Sequence, residues 1–191
     1  MPTATSPAWQ PTKVLLTVDQ VIHMSEAGIF APDQRFELIE GELVEMPAPG
    51  PRHMQAVNRL TRRLVFAYGE TGVVSVQNGL ALRPLSLPLP DLVVLRPEAN
   101  EPGYPLPGAA DSWLVIEVAE TSLSWDRRVK FPMYAWAGVP VAWLVDVERE
   151  LVEVHSQPGR QGYGQREVYA ATRALPLPGL DQTLQVRDIF R

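Results

Sequence analysis

Asp91 opens an apolar run, Leu92-Val93-Val94-Leu95, directly after Pro90, and 26 residues later a second carboxylate, Glu117, interrupts the run Trp113-Leu114-Val115-Ile116-Glu117-Val118-Ala119. Lys130, one of only two lysines in the chain, follows thirteen residues after Glu117. Two carboxylates delivered by adjacent buried strands, with an ammonium close by, suit the task of holding Mg2+ or Mn2+ against a phosphodiester. Two acids suffice, because Mg2+ keeps several waters and takes further ligands from substrate phosphate. Strand alternation puts Leu114, Ile116 and Val118 on one face and Val115, Glu117 and Ala119 on the other. Glu117 is therefore expected to be buried, and burial without a partner would be costly.

Each residue also has a plainer explanation. Glu117 could bridge to one of the many arginines or cap a helix, and Asp91 could cap its strand. Asp126 precedes Lys130 by four residues, the spacing of an ordinary surface ion pair on a helix, and Asp126-Arg127-Arg128 reads as a solvated face. His53 stands out among the histidines because it opens a helical segment after a proline turn. No second histidine has metal-ligand spacing to it, so zinc hydrolase chemistry is poorly supported. A Gly-x-Ser-x-Gly elbow, a P-loop and a Gly-x-Gly-x-x-Gly fingerprint are all missing, and no aromatic cleft suggests a glycosidase.

These residues need a sheet and helices to position them. Thr17 offers an N-cap for a short helix from Val18 to Ala27 that stops at Gly28. Phe36 to Met46 reads as a hairpin turning at Glu40-Gly41. Val57, Leu60, Leu64 and Ala67 recur at helical spacing across His53 to Tyr68, ended by Gly69. Val73 to Gln77 and Leu80 to Arg83 read as one bent strand interrupted at Gly79, followed by the Asp91 strand, a loop over 97–111 and the Glu117 strand. The last two are apolar almost throughout, as strands covered on both faces are, which requires helices on both sides. A second helix is expected over Asp126 to Ala137, with Val129, Met133, Trp136 and Ala137 inward and Gly138 ending it. Pro132 does not fit its interior, so the regular part is expected to begin near Phe131. A hairpin over 141–155, a strand from Arg166 to Ala170 and a C-terminal turn with Val186, Ile189 and Phe190 complete the reading.

The 191 residues allow one domain, 14–191, preceded by a loose arm, 1–13, with three prolines. With 46% apolar and 20% charged residues the composition is that of a soluble globular protein, and no stretch is long and apolar enough to cross a bilayer. The absence of cysteine excludes disulfides and thiolate metal sites, and the N-terminus lacks the basic start and apolar core of a secretory signal. A cytoplasmic setting is expected. The net charge of −5 disfavours tight, general binding to nucleic acid, which depends on Lys and Arg neutralising phosphates.

The segments Phe36 to Leu43, His53, Pro90 to Val94, Leu114 to Val118, Asp126 to Lys130 with Tyr134, and Ala137-Gly138-Val139-Pro140 before Trp143-Leu144-Val145-Asp146 occur in the order seen in the bacterial Uma-two family. The chain resembles those restriction-endonuclease-like proteins from about residue 17 to 155. The resemblance extends to the PD-(D/E)xK nuclease superfamily and implies an α/β fold with a mixed central sheet flanked by helices, here with extra hairpins. It implies that Asp91 and Glu117 bind the metal in a nuclease that cuts nucleic acid, DNA rather than RNA. The usual lysine two residues after the second acid is Ala119 here, so the resemblance assigns that role to Lys130 as a displaced lysine, with Glu37 and His53 completing the pocket. A non-enzymatic module that keeps the fold for binding or assembly is the alternative. A homodimer is expected, with the apolar, proline-rich segments Leu85 to Leu89 and Leu175 to Leu180 as its contact surfaces.

Overall fold

The computed structural model describes residues 12–31 and 34–191. The arm expected over 1–13 lies, apart from its last two residues, outside the described residues. Helix α1 (Val18–Glu26) starts in a capping box: the Thr17 side chain accepts from the Gln20 backbone, and the Gln20 side chain accepts from the Thr17 N–H. A hairpin follows, β1 (Phe36–Ile39) and β2 (Glu42–Glu45). Its turn residues Glu40 and Gly41 both have positive φ, 50° and 86°. Gly41 is further required by space, because a Cβ there would lie 2.6 Å from Leu15 Cβ.

The main sheet has six strands in the order β3 (Val73–Val76), β4 (Leu92–Leu95), β5 (Ser112–Ala119), β6 (Val141–Asp146), β7 (Leu151–Gly159) and β8 (Gly162–Ala170). All neighbours run antiparallel except β5 and β6, which are parallel. That parallel pair demands a crossover, built from α3 (Leu123–Trp125), a π-helical turn over Asp126–Lys130 and α4 (Phe131–Ala137).

The long helix α2 (Pro51–Tyr68) covers one face of the sheet, packing Val57, Leu60 and Leu64 with Leu114, Ile116 and Val118 in one apolar cluster. Short strands β9 (Ala174–Pro176) and β10 (Thr183–Gln185) and helix α5 (Arg187–Phe190) close the same face. On the opposite face, Val93, Val115, Ala119, Ala142 and Leu144 meet Phe131 and Tyr134 of α4 and Ile39 of β1. Both faces are thus covered, as the continuous apolar strands demanded.

Three expectations are corrected. Residues 80–83 do not continue a bent strand. Gln77 adopts φ 52° and, with Asn78-Gly79, turns the chain off the sheet, after which Leu82 and Ser86 bond to each other and Leu38 bonds to Leu87. Leu80 and Leu82 then pack beneath the β1–β2 hairpin rather than against β4 alone. Trp136 does not face the core but is 65% exposed, whereas Tyr134 and Ala135 turn inward. The π turn before α4 shifts the phase of the helix relative to a uniform 3.6-residue reading. Lastly, the two leucine-rich segments offered as dimer surfaces are in part folded inward, with Leu85, Leu87, Leu89 and Leu180 left half-buried. Leu175 and Leu177 lie in the α2-side core, and Leu87 packs against the cluster of Val18, Val21 and Leu38.

Candidate active site

Glu117 lies near the end of β5, on the face expected, and it is buried. Asp91 lies one residue before β4, and the antiparallel register that pairs Leu92 with Ile116 carries Asp91 toward Glu117. Asp91 Oδ2 accepts the Val118 N–H at 2.9 Å, which ties the carboxylate to the neighbouring strand. Oδ2 also meets His53 Nε2 at 3.0 Å, and Gln77 Nε2 donates to Oδ1 at 3.3 Å. His53 is placed by the first turn of α2, which Pro51 starts after Gly50, and Glu120 Oε2 accepts its backbone N–H at 3.2 Å. His53 Nε2 thus shares a hydrogen bond with Asp91, and the buried Nδ1 has no partner.

Lys130 enters from the π turn. Pro132 has no N–H, and its ring would collide with the Arg128 carbonyl in a regular helix; the preceding turn is wide instead, with the Phe131 N–H bonded to the Asp126 carbonyl. This backbone turns both Asp126 and Lys130 inward, each 2% exposed, which corrects the reading of Asp126 and Lys130 as a surface pair. Lys130 Nζ donates to Glu37 Oε1 at 2.8 Å and to Glu117 Oε1 at 3.1 Å. Glu37 arrives on β1, where Leu89 N–H also donates to its Oε1 at 2.8 Å, while Glu37 Oε2 is buried without a partner. Of the expected solvated face, Arg127 instead pairs with Glu153, and Arg128 remains exposed.

Glu37, His53, Asp91, Glu117 and Lys130 therefore line one cleft of about 310 Å³, together with Asp126, Glu120 and Gln77. Sequence reasoning missed two of its supports. Tyr134 donates to Glu117 Oε1 at 2.5 Å, and Ser122 Oγ donates to Asp126 Oδ2 at 2.6 Å. The four-residue intervals from Asp126 to Lys130 to Tyr134 were the available signal, since they put three polar side chains on one side of a helix.

The electrostatics follow from burying several acids around few cations. Burial, reinforced by Asp126, Asp91 and Glu37, holds the Glu117 carboxyl well above the usual carboxylate range despite Lys130. Asp126 is pushed up to about 6, mainly by burial. Burial opposes the charge on Lys130, but Glu117, Glu37 and Asp126 outweigh it and hold the ammonium above its ordinary pKa. Tyr134 is raised by burial and by Glu117. Among the described residues no three His, Asp or Glu side chains enclose an ion by themselves. The donor set nevertheless fits a hard cation: five carboxylates line the cleft against Lys130 and Arg35, and one buried carboxylate oxygen is orphaned. An ion held there would rest on one or two carboxylates and complete its shell with water and substrate oxygen, as Mg2+ does.

Residues 18–187 match the Uma2 family, described as "Putative restriction endonuclease". The chain belongs to this family. A crystal structure of a "putative nuclease" from Anabaena variabilis ATCC 29413 has the same fold, with a TM-score of 0.70 over 93% of this chain and 98% of that one, at 16% sequence identity. No curated protein matches the chain. The mixed six-stranded sheet flanked by helices and extended by small hairpins is thus a nuclease-like fold carried by a Uma2 member. Among the described residues, no helix is long and apolar enough to cross a membrane.

Proposed function

We propose that this Uma2 member is a metal-dependent endonuclease that hydrolyses phosphodiester bonds of nucleic acid, DNA in preference to RNA. The observation that carries the reading is the convergence of Asp91 and Glu117, from neighbouring antiparallel strands, on one cleft with a buried ammonium from the crossover helix. Asp91 and Glu117 would hold Mg2+ or Mn2+, which when bound supplies polarisation of a phosphate oxygen and acidification of a water. Lys130 remains protonated in this setting, so its task is to stabilise negative charge developing on the phosphoryl oxygens rather than to take a proton. Glu37 holds the Lys130 ammonium in place, and Tyr134 fixes Glu117 Oε1. His53, whose Nδ1 has no partner, is the group available to receive or relay a proton.

The test is cleavage of plasmid DNA by the purified chain with Mg2+ or Mn2+. Asp91→Ala and Glu117→Ala should each lower cutting by a factor of about 100 or more while circular dichroism stays native. Cutting that survives in both variants would refute the assignment.

A second reading, a nuclease-fold module that binds or assembles without cutting, is favoured by one observation. Ala119, at the position of the usual lysine, is packed in the apolar cluster with Phe131 and Tyr134. Calorimetry with Mn2+ separates the two, since the module needs no ion. The cysteine-free composition supports a cytoplasmic setting. Pairing of two copies through 85–89 and 175–180 would rest on the half-buried Leu85, Leu87, Leu89 and Leu180, since Leu175 and Leu177 lie in the core.

A further inference from the structure

Helix α2 carries a charge pattern opposite to that of the whole chain. Its 18 residues hold Arg52, Arg59, Arg62 and Arg63 and no acid, although the chain has 22 acidic residues and a net charge of −5. The buried side of the helix is Ala56, Val57, Leu60, Leu64 and Tyr68. At 100° per residue, Arg52, Arg59, Arg62 and Phe66 fall together on the outer side. Phe66 is 91% exposed. Arg63 pairs with Asp188 at 3.6 Å, and Arg52 donates to the Val147 carbonyl at 2.8 Å; Arg59 and Arg62 form no ion pair among the described residues. The stripe has a direction, because the first turn of α2 is also the turn that delivers His53 to Asp91 in the cleft.

We propose that the outer side of α2, through Arg52, Arg59 and Arg62, binds the sugar–phosphate backbone of a nucleic acid and leads it to the cleft at Asp91 and Glu117. The inference rests on the reading of that cleft as a phosphodiesterase site. From Arg52 to Arg62 the helix rises about 15 Å, the distance covered by roughly four phosphates of one DNA strand. Unpaired arginines with no interleaved acid match a uniform polyanion, whereas a protein surface of mixed charge would leave some of them facing cations. Concentrating positive charge on one helix also reconciles an acidic chain with a nucleic-acid substrate. Outside α2 the chain carries 22 acidic residues against 13 basic ones, so phosphate meets less net repulsion along this helix than over the rest of the chain.

The experiment is fluorescence anisotropy of a short labelled DNA duplex titrated with the full chain in EDTA, repeated over a range of salt. Wild type should bind with an affinity that falls steeply with salt. Arg59→Gln/Arg62→Gln should lose about tenfold in affinity at low salt and reduce the slope of log K against log salt by roughly two, one per lost phosphate contact. Arg62 is exposed and Arg59 half-buried, neither belongs to the buried side of the helix, and Gln has nearly the helix propensity of Arg, so the variant should fold. Arg59→Lys/Arg62→Lys should keep the slope. Mn2+ binding by calorimetry should be unchanged in all three.

Equal affinity and slope in wild type and the glutamine variant would overturn the proposal. So would wild type that binds no duplex, or an effect of the variant confined to self-association seen by sedimentation, which would make α2 a contact between copies. Failure of the nuclease reading looks different. Mn2+ would then fail to bind while the arginine-dependent duplex affinity remained.

Discussion

On the proposed reading, the single charge of Lys130 is structural and chemical at once. Its ammonium lies between Glu37 and Glu117 with Asp126 nearby, so removing it leaves several buried carboxylates without compensation. Lys130→Met should therefore destabilise the fold by about 3 kcal/mol or more, the scale of breaking one side of a buried pair, and should abolish cutting. Urea denaturation and plasmid cleavage would measure both. The double variant Lys130→Met/Glu37→Gln removes one of the stranded charges and should regain part of the stability but none of the activity. Wild-type cutting by the double variant would make Lys130 only a structural counter-ion. Glu117 could be read from the sequence because strand alternation fixes the face of a residue from its neighbours alone, and Asp91 because Pro90 places it at the start of its strand. The position of Lys130 could not, because the phase of its helix depends on how the chain accommodates Pro132. The spacing of Asp126, Lys130 and Tyr134 groups them on one side of a helix, but it does not say that the sheet will cover that side.

Secondary-structure elements act here as carriers whose winding decides the geometry of the site. The crossover from β5 to β6 must return across the sheet, and its wide turn over Asp126–Lys130 is what points Lys130 at Glu37 and Glu117. Pro132→Ala would restore a backbone N–H and remove the clash that opposes regular winding, so the helix should hold or gain stability by up to about 1 kcal/mol. The same change should rewind the turn and displace the ammonium. Cutting should then fall by as much as about a hundredfold, the cost of misplacing a catalytic group by about 1 Å. Full activity with raised stability would show that the proline does not set the position of Lys130. Elements with strong local signals were legible: the capped α1, the β1–β2 hairpin with its Glu40-Gly41 turn, and the periodic α2. Residues 80–83 and the β9–β10 hairpin were not. Their apolar content is that of strands and loops alike, and only the tertiary partners, Leu38 for Leu87 and Leu175 for Leu184, decide between them.

For the whole molecule, the sheet separates a largely apolar α2 side from a face that buries most of its charged groups, and the latter includes a second carboxylate centre at Glu153. Its side chain is 1% exposed and receives Arg166 Nε at 2.8 Å, His155 Nε2 at 3.3 Å and the guanidinium of Arg127. Burial alone would raise its pKa, but hydrogen bonds from Arg166, Arg127 and His155 win and push it down to about 2. A carboxyl whose folded pKa lies below its unfolded value contributes stability above the unfolded pKa and loses it as pH falls through the folded one. The loss therefore belongs to the window from 4.5, the ordinary value, down to about 2. Arg127 and Arg166 are 37% and 51% exposed, so solvent screening reduces the contribution to about 1–2 kcal/mol. Urea unfolding of wild type across this window should show that decline, on top of any background from other acids. Glu153→Gln cannot ionise, so its curve should be flatter by the same amount while its cutting of DNA at neutral pH persists, because Glu153 does not line the cleft. Parallel curves for the two proteins would mean that the hydrogen bonds from Arg166, Arg127 and His155 stabilise the Glu153 charge no more in the folded chain than water does in the unfolded one.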